Sequence, residues 1–347
     1  MPSWGELLKE LNALSAQPTP GVGAADFLRR KYLIALQQHT GRNAILYASR
    51  WTASPLPFPI PPQMMMINDE DIEGFMEVFD KLPSSEGLDI ILHSPGGIAE
   101  ATESIVTFIR SRFSDVRVFI PHAAMSAATM LACSANRIVM GAQSSIGPID
   151  PQFTIVGEGG IQQSAPAQAI LDQFKLAKKE CRDPNNLPAW VPTLTQYGPA
   201  LLVQCEEGLK LSKELVKTWL AKYMLHGQPR AATKAAMIAK RLADHKTFKT
   251  HARHIGRDQA RSFGLVIDDL EADPTTEDYV LSVFHATSLT FTTSATTKLI
   301  ENHLGRAWIR GVQIGIVPTP GTQRSPSAPS SQPPATPPPP TPPPTTS

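Results

Sequence analysis

Between residues 88 and 141, short apolar runs alternate with amphipathic stretches. LDIILHS (88–94) is an uninterrupted apolar run closing on polar residues, and reads as a buried strand. In GGIAEATESIVTFIRSRF (96–113), Ile98, Ala101, Ile105, Phe108 and Ile109 fall on one helical face. VRVFIP (116–121) predicts a second strand, SAATMLACSA (126–135) a helix, and NRIVMG (136–141) a third strand. Strand, helix, strand, helix, strand at this tempo predicts an α/β domain, a parallel sheet with right-handed crossovers.

The flanks read differently. Trp4, Leu7, Leu8, Leu11 and Leu14 recur at roughly helical spacing, and ADFLRRKYLIALQQHTGR (25–42) is a second amphipathic helix, so residues 1–50 look helical. SPLPFPIPPQ (54–63) is a proline-rich connector. DEDIEGFMEVFDKL (69–82) is a helix with an acidic first turn, as the helix dipole favours. Residues 199–225 form a long helix with an apolar stripe from Leu202 to Tyr223, 229–244 another, and 257–270 a short helix ending at Gly264 before a strand. From Pro318 to Ser347, 13 of 30 residues are proline, too few apolar groups to build a core. This tail is expected to be disordered, with polyproline II character. Its PPPPTPPP run leaves open a partner that reads proline motifs. Four spans result: a helical extension and connector (1–63), the α/β domain (64–270), a C-terminal extension (271–317) and the proline-rich tail (318–347).

Composition narrows the function. The net charge is +1, which speaks against a nucleic-acid binder. No run of about 18 apolar residues predicts a membrane span, and the N-terminus lacks the basic-then-apolar order of a secretory signal. Cys133, Cys181 and Cys205 are too widely spaced for a zinc site or a disulfide framework. They read as core residues in a reducing compartment, hence a cytoplasmic protein.

Three turns carry candidate chemistry. HSPGG (93–97) ends one strand and opens a helix, where open α/β sheets place ligands. Gly96 and Gly97 let backbone approach a substrate, and their N–H groups suit an oxyanion hole. Ser126 stands at the end of the next strand, where it is either a nucleophile or a plain helix N-cap. Ala123, Ala124, Ala127 and Ala128 leave no bulk around its hydroxyl, and the Ala127 N–H would face the same place as the glycine amides. In SSIGPIDPQF (144–153), Gly147, Pro148 and Asp150 are expected to wall a substrate groove.

Taken together, SPGG, AMSAAT some thirty residues later, ANRIVMGAQSSIGPIDPQ and KTHARHIGRDQARSFGL resemble the serine dehydrogenase proteinase family. That family is a branch of the ClpP/crotonase fold related to signal peptide peptidase A and the NfeD-type peptidases. The resemblance runs from about Met64 to Ile267. It implies a spiral of βαβ units and peptide hydrolysis through an acyl-enzyme on Ser126, with no metal or organic cofactor. Relatives read Met-Ser-Gly-Gly where this chain has Met-Ser-Ala-Ala, and His254 replaces a proline of the family's histidine motif.

A serine hydroxyl needs a base. The position of the Clp-type histidine falls at Ile149–Asp150 here. The lysine of signal-peptidase-like relatives would fall among Lys175, Lys178 and Lys179, with Lys175, beside Phe174, the one expected to be desolvated. His251 matches a histidine of the family motif and is the other candidate. His93 and His122 flank the two turns and are expected to orient them. The resemblance further implies a peptide or unfolded-protein substrate and a homo-oligomer assembled through the 199–225 helix. Two rivals stand beside the peptidase: a crotonase-like acyl-CoA enzyme using Glu100 and Asp150, and an inactive scaffold in which Ser126 merely caps its helix.

Overall fold

The computed structural model describes residues 4–16, 23–156 and 162–312. The proline-rich tail and its proposed disorder lie outside the described residues. The central sheet has seven strands, in the order β10 (Ile267–Asp269), β5 (Arg137–Met140), β3 (Val116–Ile120), β2 (Leu88–His93), β1 (Asn43–Ser49), β11 (Thr296–Asn302) and β12 (Ala307–Gly311). Its middle is the predicted series: β2 (Leu88–His93), β3 (Val116–Ile120) and β5 (Arg137–Met140), joined by the helices α4 (Ala99–Arg112) and α5 (Ala127–Cys133). Neighbours β1 (Asn43–Ser49) and β2, β2 and β3, β3 and β5, and β5 and β10 (Ile267–Asp269) all pair in parallel. The α/β class with parallel pairing is as expected from the alternating pattern.

Two parts of the sheet come from the flanks. β1 lies in the stretch read as wholly helical. Helix α2 (Ala24–Thr40) stops at Gly41, which adopts φ 65, and the chain then turns into a fully buried strand. At the other end, α12 (Pro274–Thr293) leads into β11 (Thr296–Asn302) and β12 (Ala307–Gly311). β11 pairs antiparallel to β1, so the sheet runs through spans 1–63, 64–270 and 271–317 alike. Helices α1 (Trp4–Ala16), α2 and α12 pack together through Leu7, Leu11, Leu28, Ala286 and Leu289.

The other face carries α3 (Asp71–Phe79), α4, α5 and the helices α8 (Leu201–Trp219) and α9 (Ala231–Leu242) over the larger core. Helix α5 is enclosed: every residue from Ala127 to Cys133 is buried. It contacts α4, α8 and β5 at once, which is why the segment is alanine-rich: bulkier side chains would not fit between these three neighbours.

Small pieces of sheet then place the site. β4 (Ala123–Ala124) pairs with β6 (Ser145–Ile146), and β6 with β9 (Ile255–Gly256). A hairpin of β7 (Gln152–Val156) and β8 (Gln162–Pro166) leads into α6 (Ala167–Glu180), followed by the short α7 (Leu187–Leu194). The predicted 257–270 unit appears as α11 (Arg257–Phe263), closed by Gly264 at φ 104, then β10. Helix α10 (His245–Phe248) sits between α9 and β9.

Candidate active site

Ser126 follows β4 and precedes α5 with φ 51 and ψ −121, a backbone conformation that costs a non-glycine residue about 1–3 kcal/mol. Neighbouring hydrogen bonds hold it there: Met125 N donates to Ser94 O (3.0 Å), Ala128 N to Met125 O (2.9 Å) and Met130 N to Ser126 O (3.1 Å). Its hydroxyl makes no cap bond to α5, so the N-cap role does not describe this serine. The residue is partly exposed while its neighbours from Ala123 to Cys133 are buried.

The two-glycine bend presses directly on this turn. A methyl group on Gly96, whose φ is 94, would lie 2.5 Å from Met125 O, 2.7 Å from Ser126 Cβ and 2.8 Å from Ala127 N. Gly97 is clamped on its other side by a bridge to Ile67: Ile67 N donates to Gly96 O (2.8 Å) and Ile98 N to Ile67 O (2.9 Å). The two glycines differ in what they offer. Gly96 N donates to Ser94 Oγ (3.2 Å) and is spent on its own turn, which takes it out of the expected oxyanion set. Among the described residues, the N–H groups of Gly97 and Ala127 have no acceptor.

These atoms line one cavity of about 350 Å³, with Ser126, Gly97, Ala127 and His251 on its wall. Its remaining lining is mostly apolar: Met65, Met66, Ala99, Met130 and Ile149 among others. His251 Nδ1 lies 2.8 Å from Asp150 Oδ1, and Asp150 is fully buried. An Asp150 carboxylate accepting from Nδ1–H fixes the tautomer that leaves Nε2 unprotonated. His245 Nδ1 approaches Asp150 Oδ2 to 3.4 Å without hydrogen-bond geometry, and both atoms lack a partner among the described residues.

Several expected site residues are placed elsewhere. Lys175 is 71% exposed on α6 and pairs at 3.4 Å with Asp172. Lys178 and Lys179 are exposed too, and none of the three lines the cavity. Of the candidate bases, His251 is the one on the cavity wall with Ser126. Gly147 and Pro148 are buried and do not line the cavity either. Gly147 lies beneath the turn, where an added methyl would sit 2.6 Å from Met125 Cε, and its N–H donates to Thr129 Oγ1 (2.9 Å). Asp150 is likewise not a groove wall, since its carboxylate faces His251. Glu100, one of the acids the acyl-CoA rival needs, is exposed and off the cavity, and the other, Asp150, is engaged by His251.

His93 ties the two turns together. Its Nδ1 lies 3.1 Å from Ala123 O and its Nε2 2.9 Å from Thr52 Oγ1, with the ring stacked between Trp51 and His122. Burial, and then the neighbouring His122, push its pKa down to about 3, so it stays neutral and positions backbone. Sequence reasoning missed the other cavity walls: Trp51, Met65, Met66, Gln152, Ser164 and Ser212. The MMM run at 64–66, after a rigid proline stretch, was the one readable hint of an apolar wall.

Residues 24–186 match the ClpP-like SDH-type serine proteinase family, so the resemblance carried by the motifs holds over this stretch. Two curated relatives are the uncharacterized proteins MJ0137 and MJ1495 of Methanocaldococcus jannaschii. They are 34% identical over 92 residues and 30% identical over 146 residues. The matches cover 26% and 42% of this chain and 32% and 46% of the relatives, so the chain spans a third to a half of their length. Among solved structures, it is similar to a serine-to-alanine mutant of the 1510-N membrane-bound stomatin-specific protease. The identity is 19% and the TM-score 0.32, over 58% of this chain and 75% of that one. A lysine-to-alanine mutant of that protease in complex with a substrate peptide gives 21% and 0.29, over 52% and 60%. No helix among the described residues is long and apolar enough to cross a membrane.

Proposed function

We propose that this chain is a serine endopeptidase whose catalytic group is Ser126, with His251 as base and Asp150 as its orienting carboxylate. The observation that carries the reading is the shared cavity: the strained serine, two acceptor-free amides and an imidazole held by a buried carboxylate all reach it. Ser126 Oγ attacks a peptide carbonyl while His251 Nε2 takes its proton. The N–H groups of Gly97 and Ala127 hold the oxyanion. His251 then returns the proton to the leaving amine, and water hydrolyses the acyl-enzyme by the same route. In chain order the groups run Ser126, Asp150, His251. A second cavity that shares Trp51, Pro95, Gln152, Ser164 and His251 with the first extends the room for a chain, which supports cleavage within a chain.

Labelling with a fluorophosphonate probe tests the reading. Ser126→Ala should abolish labelling, and His251→Ala and Asp150→Asn should slow it by about 10³–10⁴-fold. Lys175→Ala should label like wild type. Undiminished labelling of Ser126→Ala overturns the assignment.

A homo-oligomer and a cytoplasmic location belong to the same proposal. Exposed Val203 on α8, with Leu187 and Val191 on α7 and Leu176 on α6, supports a contact between copies. Three unpaired cysteines support a reducing compartment. Light scattering on the full chain tests the first; a strict monomer removes it.

A further inference from the structure

The cavity that holds Ser126 is one half of a longer cleft. A second cavity of about 610 Å³ shares Trp51, Pro95, Gln152, Ser164 and His251 with it. The two halves differ in character. In the first, His251 is the one titratable lining residue, and methionine, proline, alanine and isoleucine make most of the wall. The second is lined by His245, Lys249 and His254 as well as His251 and, among the described residues, by no carboxylate.

Of the basic residues on this wall, Lys249 is the one left over: His245 and His251 both approach Asp150, and His254 Nδ1 lies 2.7 Å from Ser145 Oγ. Lys249 is exposed and makes no ion pair among the described residues. It is held at φ 64 as the cap that ends α10, so its backbone is fixed at the cleft edge. Asp150 is buried against His251, and Asp244, the cap of α10, accepts from Lys246 N and Thr247 Oγ1. At the divide between the halves, Trp51 Nε1 and Gln152 Nε2 are buried donors that lack an acceptor among the described residues. Donors without acceptors and an ammonium without an ion pair among the described residues, on the wall of one cavity, suit an anionic or strongly accepting ligand.

We propose that the half of the cleft walled by His245, Lys249 and His254 binds a substrate carboxylate. The cleft then selects peptides with an apolar side chain and an acidic group on opposite sides of the bond cut at Ser126. This rests on the peptidase reading and names its substrate class. The carboxylate is either an Asp or Glu side chain or the end of the substrate chain.

Binding to the full-length Ser126→Ala protein separates these, since it needs no turnover. Fluorescence anisotropy is read for four short leucine-containing peptides: Asp or Asn beyond the leucine, each with a free or amidated C-terminus. An exposed ion pair predicts about 5-fold tighter binding of the carboxylate form. The gain should shrink at high salt. A gain on Asn→Asp identifies a side-chain acid; a gain on amide→acid identifies a chain end. In Lys249→Gln, made on the same background, the ratio should fall towards one. Equal binding of all four peptides, or a ratio that Lys249→Gln leaves untouched, overturns the proposal. If wild-type Ser126 resists the fluorophosphonate while binding still follows the carboxylate, the peptidase reading fails and the subsite stands.

Discussion

Gly97→Ala tests the oxyanion geometry most directly, because the structure sets its magnitude. The new methyl would lie 2.2 Å from Ile67 O and 2.4 Å from Ile67 N. Both are backbone atoms, so no side-chain rotation relieves the clash. Restoring a separation of about 3.5 Å forces the Ile67–Gly97 bridge to open by more than about 1 Å. Two effects follow. The bonds Ile67 N to Gly96 O and Ile98 N to Ile67 O are lost or strained, at a cost of about 1–3 kcal/mol in stability. The Gly97 N–H also leaves its place beside Ser126. A displacement of that size, or outright loss of one oxyanion donor, slows the attack about 10²–10³-fold, or roughly 3–4 kcal/mol in barrier. The assay is the second-order rate of fluorophosphonate labelling, taken well below the melting temperature and alongside a thermal melt. Gly256→Ala serves as control: nothing lies within 4 Å of its added methyl and its φ of −70 suits alanine. A folded Gly97→Ala protein that labels at the wild-type rate would refute the oxyanion assignment.

Three other outcomes are expected. The folded protein keeps His93 neutral down to about pH 3 while the unfolded chain protonates its histidine below about 6.5, so stability falls as pH drops between those values and is lowest beneath both. The full span is worth roughly 5 kcal/mol, and acid melts of His93→Asn should show a correspondingly flatter slope. Lys298 is buried, donating to Asp71 Oδ1 (2.7 Å) and Met66 O (2.6 Å). Lys298→Met strands the Asp71 carboxylate and should cost about 3–5 kcal/mol by denaturant unfolding, with much of it recovered in the double variant with Asp71→Asn. Lys175→Ala should move stability by less than about 0.5 kcal/mol, because its ion pair with Asp172 is solvated.

The parts of the fold that were readable are those with a strong local period. β2, α4, β3, α5 and β5 sit within a few residues of their predicted limits, because each buries a complete face and ends on a polar or glycine break. β1 was not readable as a strand: NAILYAS continues the apolar pattern of α2, and only Gly41 marks the change of period. Helix α12 is rich in threonine and β-branched residues, a weak helical signal. Its Asp273 cap, bonded to Thr275 N and Thr276 N ahead of Pro274, was the available clue to where it starts. In the site, the glycine bend and the serine turn could be proposed as neighbours because parallel β2 and β3 bring their ends side by side. Lys175 shows the limit of spacing: it falls in the right window of the chain but on the solvent side of α6.

The chain's own pattern was enough to specify a parallel α/β core and to nominate Ser126, because strand runs, helix faces and small-residue turns are short-range signals. Which group reaches that serine as its proposed base is a matter of distance across the fold. Asp150 and His251 are 101 residues apart and meet only because α9, α10 and the β6–β9 pairing carry them to one place. No periodicity records such a meeting: it is produced by packing, and burial then decides which ionisable groups are held for chemistry and which are left in water.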